Sequence, residues 1–129
     1  MLIAALMASV FLAAMEDARI GSVSGAKQTT LSAAESAIEL TIQNWQGSVS
    51  GPIGVEGTRS TTHDAFGTPV AVSVTRLDSA VYWIVADAGR VSSGLSATRR
   101  IGVIVRAHMR SDGSIAVDRT AERWWSELF

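Results

Sequence analysis

The first fifteen residues of the chain hold one polar side chain, Ser9, and no charge, and they run into Glu16, Asp17 and Arg19 without a proline or glycine. Alanine, leucine and methionine dominate this run and favour helix. An uncharged apolar helix joined to a polar remainder must be housed in something apolar, which means a membrane, a secretion channel or an assembly of its own copies. A bilayer-spanning helix needs roughly 20 apolar residues and a signal-peptide core about 7 to 15. Length therefore suits a signal core, but nothing basic precedes Arg19. The reading favoured over a cleaved signal or a plain anchor is a helix that forms an assembly.

The 129 residues suit one compact domain plus this appendage. The expected division is 1–27 as a protruding apolar helix half and 28–129 as a globular domain. Lys+Arg 11 against Asp+Glu 12 leaves a net charge of -1, so no global field draws the protein to nucleic acid or anionic lipid. The absence of cysteine excludes disulfides, thiolate catalysis and cysteine-bound metal.

Gly21 and Gly25 are the weak point of the long helix, each costing about 1 kcal/mol relative to alanine. They read either as tolerated glycines or as a segment that unwinds when the apolar head is packed away. Beyond them Leu31, Ala34, Ile38, Ile42 and Trp45 recur at spacings of three and four, drawing an apolar stripe, while Glu35, Glu39 and Gln43 take another face. Gly47, Ser48, Ser50, Gly51 and Pro52 place the helix end within a turn of Trp45.

Residues 52–68 read as a connecting loop with a short strand over 53–56. Strands are expected over 69–77 and 81–86, joined at Asp78 and Ser79, then over 100–109 and 114–118, joined by a two-residue turn at Asp112 and Gly113. Residues 89–98 read as a loop. The expectation is an α+β fold, a long N-terminal helix packed on a roughly four-stranded antiparallel sheet. Trp124, Trp125, Leu128 and Phe129 would cover apolar surface.

The chain offers little for chemistry. His63 and Asp64 follow Ser60, Thr61 and Thr62, but neighbours on an extended segment point to opposite sides, and no Gly-x-Ser-x-Gly elbow is present. No catalytic residue, cofactor or metal site is expected. Arg99, Arg100, Arg106 and Arg110 are followed by Asp112, Asp118, Glu122 and Glu127, which reads as a solvated sheet edge rather than a nucleic-acid surface.

A long N-terminal helix, apolar at its start and amphipathic later, then a glycine-containing loop and an antiparallel meander, resembles the type IV pilin and pseudopilin superfamily. The likeness rests on residues 1–15, on Leu31-Ser-Ala-Ala-Glu-Ser-Ala-Ile-Glu, which is similar to a stretch of pilus-assembly minor pilins, and on residues 76–105 with Arg99 and Arg100 entering an apolar strand. Two departures stand against it. No basic leader ending in glycine precedes the apolar run, and the early glutamate of the family is missing, Glu16 being the first acid. The upstream coding sequence decides between a longer precursor and a mature chain lacking that glutamate.

The resemblance implies a filament subunit that sits in the inner membrane before assembly. Pilus or secretion machinery then extracts its helix and packs it against copies of itself. Met1, Leu2, Ile3, Ala5, Leu6, Val10, Phe11, Leu12 and Met15 would form the filament core, with Ala4, Ala8, Ala13 and Ala14 allowing close approach. Glu16, Asp17 and Arg19 either sit where solvent begins or pair between subunits, Lys27 being a further partner. The competing hypothesis is a monomeric membrane-anchored or secreted binding module.

Overall fold

The computed structural model of the protein describes residues 2–49, 52–92, 94–120 and 126–128. One helix, α1, runs unbroken over Leu2–Gln43 and is followed by a single turn, α2, over Trp45–Ser48. At 1.5 Å rise per residue the 42 residues of α1 extend about 63 Å. Gly21 and Gly25 lie inside this helix, and a Cβ at either would meet nothing.

Five strands follow as an antiparallel meander in chain order: β1 (Thr58–Ala65), β2 (Thr68–Arg76), β3 (Val81–Ser92), β4 (Leu95–Met109) and β5 (Ile115–Arg119). A two-residue segment, β6 (Ser126–Glu127), pairs with β4 at Ile101 and Gly102, along the edge that β5 occupies further on. The α+β class expected from the sequence is the architecture found, with five strands in place of four.

The extra strand is β1, in a region expected to be a loop. Its outward residues Thr58, Ser60, Thr62 and Asp64 are exposed and only Ala65 is buried. A polar edge strand prints no hydrophobic alternation. The strand expected over 53–56 is instead a turn, with Gly57 N–H donating to the Gly54 carbonyl at 2.8 Å and Glu56 at φ 66. Residues 89–98 are not a loop either, because β3 and β4 stay paired from Val81–Arg106 to Ser92–Leu95. The turn at Asp112 and Gly113 is one residue longer than expected. Arg110 N–H donates to the Ser114 carbonyl, Gly113 N–H donates back to the Arg110 carbonyl, and Gly113 takes φ 83. That is a three-residue loop with its glycine in the left-handed region.

The core lies between the second half of α1 and one face of the sheet. Val70, Val72 and Val74 pair with Ala88, Ala86 and Ile84, and the face continues into Ile101, Val103 and Val105, all buried. Taking each branched side chain out of water contributes about 1.5–3 kcal/mol. From the helix come Thr30, Ala33, Ala34, Ala37, Ile38 and Thr41, all fully buried.

The buried stripe is thus turned slightly from the one read in the sequence. Ala34 and Ile38 are central, while Leu31 and Ile42 are half-buried at its margins. The valine-rich sheet leaves little room, so small residues let the helix approach it. Trp45 closes the end of the core, 5% exposed, with its ring edge-on to Tyr82 at 5.0 Å between centroids. Glu39 reaches across to form an ion pair with Arg119 of β5.

Candidate assembly surface

Cover on α1 stops where the sheet stops. Every residue over 2–22 is exposed, Val23 and Ala26 are partly covered, and Thr30 is the first fully buried position. Residues 2–22 form a stalk about 30 Å long at helical rise, and the remainder forms a head. Along the stalk Leu2, Ile3, Leu6, Met7, Val10, Phe11, Leu12, Met15 and Ile20 are between 56% and 81% exposed. Single exposed apolar side chains are ordinary, but a continuous helical surface of them is not.

The helical repeat sorts these side chains. Ile3, Leu6, Met7, Val10 and Phe11 gather on one side, where Leu6, Met7, Val10, Phe11 and Ala14 line a shallow apolar groove. Ala4, Ala5, Ala8, Ser9 and Ala13 lie on the other side, interspersed with Leu2, Leu12 and Met15. Alanines set between large side chains let neighbouring rods approach closely, since small residues admit a partner's side chains or backbone. Ser9, the polar residue of the run, is provided for inside the helix, its hydroxyl donating to the Leu6 carbonyl at 2.8 Å. A rod with that bond made has no dangling hydroxyl to desolvate.

Of the residues expected in the filament core, Leu2, Ile3, Ala5, Leu6, Val10, Phe11, Leu12 and Met15 lie on this stalk; Met1 lies outside the described residues. Glu16, Asp17 and Arg19 are exposed at the end of the apolar run, and among the described residues they form no ion pair. Trp124, Trp125 and Phe129 lie outside the described residues. Leu128 is half-covered on the outer face, where a Cβ on Gly102 would sit 3.3 Å from its Cδ1 and 2.8 Å from Trp83 Nε1.

The head offers two shallow recesses flanking Trp45, of about 400 and 420 Å³. Arg76, which borders one, donates its guanidinium hydrogens to the carbonyls of Ile53, Asp78 and Ser79 at 2.8–3.1 Å. That guanidinium ties the chain before β1 to the β2–β3 turn.

His63 and Thr61 point toward the helix and Asp64 away from it. His63 Nε2 lies 3.5 Å from the Thr41 hydroxyl and 3.4 Å from that of Thr61. Thr41 in turn donates to the Ala37 carbonyl at 2.8 Å, a helix-internal bond. Adjacent His63 and Asp64 thus do not converge on one point. Among the described residues no three His, Cys, Asp or Glu side chains gather as they would to hold a metal.

On the outer face Arg100 lies 3.9 Å from Asp87, and His108 lies 3.3 Å from Asp118. These cross-strand pairs sit among the basic residues that end the sheet, so Arg100 and His108 each already face an acid of the same chain. No described helix is long and apolar enough to cross a membrane. Compared with known protein families, characterised proteins and solved structures, the chain gives no match.

Proposed function

We propose that this chain is the structural subunit of an extracellular filament of the type IV pilus or type II secretion pseudopilus kind, polymerising through its N-terminal helix. The observation that carries the reading is the stalk, whose residues 2–15 are uncharged and almost wholly apolar and find no cover among the described residues of their own chain. Burial of each large side chain among neighbouring stalks contributes about 1.5–3 kcal/mol relative to water. The sheet domains then stand outside as the filament surface.

Before assembly the stalk resides in the inner membrane. The uncharged run of fifteen residues covers about 22 Å, less than the roughly 30 Å of bilayer hydrocarbon. Glu16, Asp17 and Arg19 therefore mark the depth at which the rod leaves lipid, and a short rod is easier for assembly machinery to extract. No enzymatic role is proposed, and the partners are further copies of the chain and that machinery.

Electron microscopy and sedimentation of the full chain, with and without residues 1–15, test the proposal. Fibres from the full chain and a folded, non-polymerising remainder are expected. A full chain that stays a detergent-soluble monomer under all conditions, or a truncated chain that still forms fibres, overturns it.

A further inference from the structure

The end of the head from which the stalk departs carries two features that its own packing does not explain. Trp45, Arg76, Tyr82 and Ile115 line one recess at the far end, so β2 begins and β3 finishes at the stalk-proximal rim. There β2 leaves β3 at the Val70–Ala88 pair, and the segment of β6 reaches β4 as far as Arg100, whose carbonyl accepts from the Leu128 N–H. Beyond these points, among the described residues, β3 and β4 pair only with each other, from Gly89–Thr98 to Ser92–Leu95, as a two-stranded arm. Such a ribbon is marginal in water unless something packs on it. Arg90 on this arm is exposed and continues the helix-facing register of Ile84, Ala86 and Ala88, while Val91, 79% exposed, faces the other way.

The second feature is the β1–β2 turn on the same rim. Phe66 is 69% exposed and holds φ 54, followed by Gly67 at φ 70. This turn favours Asn, Asp or Gly at its first position, because an aromatic residue is strained in the left-handed region. A strained, solvent-facing phenylalanine stabilises nothing in its own head, and retained strain of that kind points to a contact elsewhere.

We propose that this rim seats against the stalk of a second copy of the chain, with Arg90 meeting Glu16 or Asp17 while Phe66 covers the apolar surface around Ile20. Charge complementarity selects this occupant. Among the described residues Arg90, Glu16 and Asp17 form no ion pair, and all three are exposed. The chain's own stalk is not the partner, because its residues 2–22 stay exposed in the single chain. When rods bundle in parallel, a neighbour displaced along the axis brings its acids to the rim. Asp17 precedes Thr30, the first fully buried helix residue, by thirteen positions, so the displacement is on the order of 20 Å. The inference rests on the self-assembly reading above.

The absence of cysteine allows a direct test with the full chain. Copies carrying Arg90→Cys are mixed with copies carrying Asp17→Cys, assembled, and treated with a short bis-maleimide. Cross-linked dimers are expected in mixed fibres. Fibres that give none, or a chain carrying both substitutions that cross-links to itself in dilute detergent, overturn the proposal.

Two functional readouts accompany this. Arg90→Glu should raise the concentration needed for fibres at least tenfold, and Glu16→Arg with Asp17→Arg should restore it. Phe66→Asn should raise the melting temperature of the head while weakening the fibres, which a merely structural turn residue would not do. If the unaltered chain forms no fibres, the underlying reading fails and this contact with it. If it forms fibres and the rim variants assemble equally well, only the contact is wrong.

Discussion

Thr68 is fully buried on the helix-facing side of β2, and its hydroxyl has no hydrogen-bond partner among the described residues. Desolvating a hydroxyl without compensation costs about 1–3 kcal/mol. Thr68→Val keeps the shape and removes the polar atom, so the head should gain about 1 kcal/mol, a rise of roughly 4–8 °C in melting temperature. A thermal melt that moves down would mean that the hydroxyl is satisfied. Asp112 is the opposite case, fully exposed yet well served. The Ser114 hydroxyl at 2.6 Å, and then the Ser114 N–H at 2.9 Å, hold its carboxyl below the usual carboxylate value. Because the folded pKa is the lower one, what this turn adds is fully present above the ordinary carboxylate pKa and is lost as pH falls through the depressed value. Ser114→Ala should therefore move the Asp112 titration midpoint upward, read by NMR of its side-chain carboxyl. A midpoint that stays put would assign the depression to the backbone alone.

The packing of α1 depends on what is small in it. Ala33, Ala34 and Ala37 are fully buried against the valine face, so Ala37→Leu must push the helix from the sheet or force side chains off their rotamers. Such overpacking costs typically about 1–3 kcal/mol. Denaturant unfolding of the variant should show a lower midpoint, while a midpoint equal to the parent's would mean a slack interface. This is also where the sequence was hardest to read. Ala34 and Ile38 announced the buried face, but Thr30 and Thr41 did not look like core. Both hydroxyls bond to helix carbonyls a turn earlier, Thr30 to Ala26 and Lys27 and Thr41 to Ala37, so they pack much as valine would. In the sheet the alternation of Val70, Val72 and Val74, and of Ile101, Val103 and Val105, was legible because one face of each strand is buried. β1 and the β3–β4 arm were not, since their strand character comes from pairing with a neighbour rather than from burying a face. The stalk was plain from the first fifteen residues. The rim that carries Phe66 and Arg90 was invisible, because two residues distant in sequence come to one end of the sheet only through topology.

Stalk and head differ in what each needs from the rest of the chain, and that difference places the boundary between them. The sequence alone suggests a division after residue 27. In the fold, cover on the helix begins at Val23 and Ala26, and the Thr30 hydroxyl uses the Ala26 and Lys27 carbonyls. A chain starting at residue 23 retains all of these, together with every buried side chain and the Glu39–Arg119 pair. One starting at residue 28 loses the carbonyl acceptors, leaving a buried hydroxyl to be satisfied otherwise, and loses the partial cover of two apolar side chains. The first should melt as a monomeric head, and the second should be weaker by about 1–2 kcal/mol, roughly 5–10 °C lower in melting temperature. Differential scanning calorimetry of the two truncations makes the comparison without the stalk and without detergent. Equal melting temperatures would mean that the helix contributes to the head only from Thr30 onward, and that residues 23–27 belong to the stalk.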